Sequence, residues 1–182
     1  MSFPITTLVA LIAYFISRAI LKSSKQVYAG LFLALLMIVG FMTYSKGISI
    51  LGLHVSATSF SIVILIVTFF ETTLLERHIT KIKKGEIGSN VKSVETEYNE
   101  IFILIGFGLG GIMLSLVSGL MVLGEIDIEL IFKIVFTVFA LIIYMLTFLG
   151  VRYANLKVRY AVRGTILSFA MVLLAYLEIR LF

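Results

Sequence analysis

The stretch HVSATSFSIVILIVTFFETTLL, residues 54–75, holds one charged side chain, Glu71, and neither proline nor glycine. A run this long and this apolar reads as a transmembrane helix, because about 20 apolar residues cross the ~30 Å hydrocarbon core of a bilayer. Transmembrane strands would need about ten residues of strict alternation, and this run is continuous. Working outward, five more runs of the same kind occupy residues 3–21, 27–44, 101–123, 128–150 and 164–182. The expected fold class is therefore all-α: a polytopic membrane protein, one domain, a bundle of six transmembrane helices. Residues 76–100, with mixed charge, are the one connection of any length and are expected to be a cytoplasmic loop. The first run has no basic segment before it and no small-residue cleavage pattern after it, so it is expected to stay as a mature helix.

Composition agrees. The chain is 60% hydrophobic and 14% charged, with a mean hydropathy of +1.13. A soluble domain is about a quarter charged, and one of 182 residues has too small an interior to hide this much apolar surface. The lipid bilayer is thus an expected partner. Cysteine is absent, which removes disulfides, thiolate metal sites and a thiol nucleophile from consideration. The net charge of +5 does not indicate nucleic acid, because the bases fall in the connections between apolar runs.

Those bases give a direction. Arg18, Lys22 and Lys25 flank the first connection. Arg77, Lys81, Lys83, Lys84 and Lys92 lie in the third, and Arg152, Lys157, Arg159 and Arg163 in the fifth. Lys46, Lys133 and Arg180 belong to the opposite side, together with Glu125, Asp127 and Glu129. The positive-inside rule then places the odd connections in the cytoplasm and both termini outside it. A bacterial-type inner membrane is the expected location.

Few residues in the spans can carry chemistry. His54 opens the third span, and Thr58, Ser61, Leu65, Thr68 and Thr72 follow it along one helix face at 100° per residue. Such a stripe faces the bundle interior. His54 is then either an axial ligand for haem iron, a proton-handling group, or an interfacial histidine above ordinary small-residue packing. Ser56 and Ser59 lie on the other face, so hydroxyls are not confined to the stripe. Glu71 sits about one turn from the inner end of its span. It is either a working intramembrane acid or the partner of a base at its level such as Arg18. Lys133 pairs with Glu129 one turn away or contacts an anion such as a haem propionate. His78 lies at the opposite end of the span from His54, so the two cannot share a metal. The GFGLGG run at 106–111 is inside an apolar span with no strand before it, so it is no phosphate cradle. Gly111, Ser115 and Gly119 form a small-xxx-small ridge for close helix packing.

The order of these features resembles the cytochrome c assembly membrane protein family. The resemblance is carried by LHVSATSFSIVILIVTFFETTLLERHITKIK (53–83) and VKSVETEYNEIFILIGFGLGGIMLSLVSG (91–119). There a histidine opens a helix from the outer side, a basic loop follows, and a Gly-containing span ends in Ser-Gly, here Ser118–Gly119. Lys133 falls where that family has a lysine early in its next span. The chain departs from the family in having no Trp-rich loop, fewer spans, and no histidine in FMTY at 41–44. The resemblance implies haem as cofactor at the outer leaflet, with His54 as its metal ligand; Thr58 and Ser61 below it on the stripe, and Lys133, are the further expected cofactor-binding residues. The iron would be five-coordinate, or its second ligand would come from a homodimer or a partner membrane protein. No catalytic residue is expected and the chain is not expected to be an enzyme. Two other functions remain open: a structural or accessory subunit of a larger membrane complex, and a small transporter using Glu71 and Lys133 as coupled charges.

Overall fold

The computed structural model describes residues 3–20, 26–46, 49–86, 93–122, 128–154 and 157–176, with side chains for 5–20, 27–40, 49–86, 93–122, 131–154 and 157–175. Lys22, Lys25, Lys92, Glu125, Asp127 and Arg180 lie outside the described residues, as do the side chains of Lys46, Glu129 and the FMTY segment. Every described element is an α-helix: α1 (Phe3–Ile20), α2 (Gln26–Lys46), α3 (Ile50–Lys83), α4 (Val94–Val122), α5 (Ile128–Tyr153) and α6 (Val158–Tyr176). The expected all-α bundle of six helices is what forms. Helices α3 to α6 are each long and apolar enough to cross a bilayer. In α1 and α2 the apolar stretches with described side chains are Ile5–Ile20 and Val27–Gly40.

Helices α2 to α5 are longer than their apolar runs, and the connection read as a loop over 76–100 is helical at both ends. Nothing between Glu76 and Lys84 breaks a helix, so α3 continues past its last apolar turn until Gly85. Gly85 has φ +80. Its N–H donates to Ile82 O at 3.0 Å, and the Glu86 N–H reaches Lys81 O at 3.1 Å. That pair of bonds is a Schellman closure, which needs the left-handed residue that glycine supplies at no steric cost. At the other side of the connection the Ser93 hydroxyl accepts from the Thr96 N–H at 3.2 Å. Glu95 and Glu97 fill the first turn of α4, where acids suit the positive end of the helix dipole. Ser49 caps α3 in the same way, accepting from the Gly52 N–H at 3.1 Å.

Sequential helices pair as three antiparallel hairpins, α1–α2, α3–α4 and α5–α6, around α3, which touches α1, α2, α4 and α6. Helix α5 packs mainly on α4 and α6. This central position explains why α3 buries both its faces: Thr58, Ser61, Leu65, Thr68 and Thr72 on one, and Ser59 on the other. One apolar cluster gathers Leu65, Ile105, Ile112 and Tyr144. A second joins Ala10, Ile38, Val63 and Leu104. Cross-helix contacts Arg18–Glu71, Arg159–Glu76, His78–Glu97 and Tyr98–Val151 bring the helix ends beside all three basic connections to one end of the bundle.

Candidate functional site

The α3–α4 seam holds His54. The imidazole lies over Gly119, whose missing side chain leaves the room: a Cβ there would sit 3.0 Å from His54 Cε1. Nδ1 is 3.0 Å from the backbone oxygen of Ser115 and 3.3 Å from Ser118 Oγ. The carbonyl can only accept. The Ser118 hydroxyl donates to Leu114 O at 2.6 Å, so its lone pairs face the ring. Nδ1 is therefore the protonated nitrogen, and in the neutral ring Nε2 keeps its lone pair.

Below His54 the stripe behaves as helix-packing surface. The Thr58 hydroxyl lies 2.8 Å from His54 O and 2.6 Å from Ser115 Oγ. Ser61 donates to Ala57 O at 2.7 Å and packs on Gly111, where a Cβ would come within 2.9 Å of Ser61 Oγ. Thr72 donates to Thr68 O at 2.5 Å. Farther along, Tyr144 of α5 passes over Gly108, and its hydroxyl donates to Thr68 Oγ1 at 3.3 Å. The residues expected to share a cofactor thus divide. His54 and Thr58 come together with Ser115 and Ser118. Ser61 faces Gly111 one turn deeper. Lys133 sits on α5, half-buried, and the hydrogen bonds of His54 do not run to it. Its expected pairing with Glu129 lies outside the described side chains.

The second polar group is at the other end. Glu71 accepts from Tyr14 Oη at 2.7 Å, from Arg18 Nε at 2.6 Å and from a terminal Arg18 nitrogen at 3.0 Å. Of the two readings of Glu71, the geometry is that of the ion pair. Arg18 Cζ also lies 5.3 Å from the Phe70 ring centroid. Beside this group a cavity of about 90 Å³ is lined by Arg18, Glu71, Glu97 and Glu100, with Leu74 and Ile101. It is polar and large enough for water. Glu97 of its lining also meets His78, whose Nδ1 is 2.8 Å from Glu97 Oε2. Tyr14 was not evident in the sequence as a site residue, although it stands four before Arg18 and so on the same helical face. Ser115 was visible only as packing, and Ser118 only as the Ser-Gly end of the resembled span.

The donor chemistry at His54 can be compared with what haem iron requires. A ligating imidazole typically donates its other N–H to a carbonyl or carboxylate, which fixes the ring and its tautomer. His54 has that arrangement through Ser115 O. Exposed apolar side chains, Leu51, Leu53, Leu120 and Met121, occupy the same end of the seam. The residues present fit one axial ligand at a surface. The cavity at Arg18 and Glu71 and the open groove at Phe107 and Gly110 both lie away from His54. Among the described residues no group of three or more His, Asp or Glu side chains is placed to hold a metal ion. No protein-family model, curated protein or solved structure matches this chain.

Proposed function

We propose that this chain is a multi-pass inner-membrane protein that holds or hands on haem at its outer face, in the manner of cytochrome c assembly proteins, with His54 as the axial ligand. All six helices cross the bilayer in this reading, and both termini face away from the cytoplasm. The observation that carries it is the Nδ1–H bond of His54 to Ser115 O, which orients the ring and leaves Nε2 available. Haem would supply the iron, and the chain would supply orientation. Ser115 and Ser118 hold the ring, Thr58 steadies Ser115, and Gly119 leaves the space in which the imidazole lies. No bond of a substrate is made or broken by the chain in this role.

The experiment is an absorption spectrum of protein purified in mild detergent from haem-replete cells, wild type beside His54→Ala. A stoichiometric Soret band lost in the variant is the expected result. A colourless wild type that is folded and helical overturns the assignment.

A second reading, an accessory subunit of a larger membrane complex, is favoured by the stripe below His54. The hydroxyls of Thr58, Ser61 and Thr72 are all bonded within the seam and need no ligand. Co-purification of a defined partner with a colourless protein supports that reading. The transporter reading is weakened by Glu71, whose carboxylate is held by three hydrogen bonds.

A further inference from the structure

At the end of the bundle that gathers the basic connections, Arg18 and Arg159 are paired with Glu71 and Glu76. Arg152 and Arg163 are not. Among the described residues neither meets a carboxylate, and the contact of each is an aromatic face. Arg152, in the last turn of α5, has its Cζ 5.2 Å from the Phe102 centroid. Phe102 is itself stacked on Phe148 at 4.8 Å, one turn before Arg152. Arg163, in the second turn of α6, has its Cζ 6.0 Å from the Tyr160 centroid. Lys157 stands exposed between them at the start of α6. An aromatic face orients a guanidinium without neutralising it. The fork of N–H donors therefore remains available to an anion.

The surroundings say which anion. Leu146 and Tyr153 on α5, and Tyr160 and Leu167 on α6, are exposed large side chains on the same hairpin. Tyr160, Arg163 and Leu167 follow one another on one helical face, three and four residues apart. Gly164 packs on Thr147, so Arg163 lies at the level of Phe148, about 6 Å nearer the apolar midsection than Arg152. Two unpaired guanidiniums at the rim of an apolar surface, flanked by exposed tyrosines, match the headgroup layer of a bilayer. The planar fork fits a phosphodiester oxygen pair.

We propose that Arg152, Lys157 and Arg163 form a binding surface for the phosphate of an anionic phospholipid headgroup at the α5–α6 turn. The surface is independent of what His54 binds.

The test is lipid selectivity in nanodiscs of phosphatidylcholine mixed with spin-labelled phosphatidylglycerol. Wild type is expected to enrich the anionic lipid at its boundary. Arg152→Gln and Arg163→Gln should each lower that preference about fivefold, and together about 25-fold, given the usual strength of one base near a charged leaflet. Arg152→Lys keeps the charge without the fork and should retain part of the preference. Arg77→Gln removes an exposed base of α3 that is not part of this surface and should change it little. An unchanged preference in the folded double variant overturns the proposal. So does an equal loss in Arg77→Gln, which would make the effect one of net charge alone. Displacement of the lipid by millimolar inorganic phosphate would make this a soluble-anion site, and also overturns it.

Discussion

Glu71→Gln should unfold the Arg18 end of the bundle more readily, and the size of the effect follows from its contacts. The carboxylate accepts three hydrogen bonds, one from Tyr14 and two from Arg18. Its side chain is 12% exposed and that of Arg18 is 24% exposed. Removing one partner of a buried ion pair costs about 3–5 kcal/mol, because the other charge is left without compensation. Arg18 is not wholly buried and can turn toward the headgroups, which recovers part of that. The net expectation is about 2–4 kcal/mol for Glu71→Gln, and similar for Arg18→Gln. The double variant should cost less than the sum of the two, with a coupling of at least ~1.5 kcal/mol, since the second change removes the orphan left by the first. Reversible unfolding in mixed detergent micelles, followed by far-ultraviolet circular dichroism, measures all three. Strictly additive single effects would refute the ion-pair account. Wild-type stability in Glu71→Gln, with loss of solute flux, would make Glu71 a working charge instead.

Glycine substitutions separate close packing from open surface. Gly108→Ala puts a Cβ within 2.6 Å of the fully buried Tyr144 ring and should cost about 1–3 kcal/mol in the same assay, whereas Gly110→Ala meets nothing within 4 Å and should be neutral or stabilising. Equal effects at the two positions would mean that helix propensity, not the Tyr144 contact, dominates. Gly85→Ala forces a side chain into a backbone with φ +80 and should cost about 1–2 kcal/mol locally. Faster hydrogen exchange confined to the last turns of α3 is the signature.

The six helices were legible because long apolar runs leave a strong mark in composition. The stripe from His54 to Thr72 was legible too, since helical periodicity places those side chains on one face whatever covers it. Helix ends were misjudged because hydropathy reports where lipid stops, while a helix stops where its backbone bonds are capped. Those caps were in the sequence as Ser49, Ser93 and Gly85. The Tyr144–Gly108–Thr68 contact was not legible, because it joins three helices and depends on their relative heights. Arg18 as partner of Glu71 was one reading among two. The structure decides it by placing α1 parallel to α3, with Tyr14 and Arg18 both facing the carboxylate.

In a bilayer, apolar side chains gain nothing from meeting each other rather than lipid tails, so helix register must come from shape and from polar contacts. Here most hydroxyls bond back within their own helix, as Thr137, Thr147 and Thr165 do to carbonyls four residues earlier. That leaves shape as the main source of register. Five glycines each receive a polar side chain from a neighbouring helix: Gly30 takes Tyr14 and Ser17, Gly108 takes Tyr144, Gly111 takes Ser61, Gly119 takes His54 and Gly164 takes Thr147. In four of the five notches the hydroxyl that enters is bonded within the protein. The notch at Gly119 differs, because the side chain that enters it has two polar atoms and, among the described residues, only one of them is hydrogen-bonded. A residue chosen for packing alone would not need the second nitrogen. That asymmetry is the physical reason to look for the function of this protein at His54 before any other position.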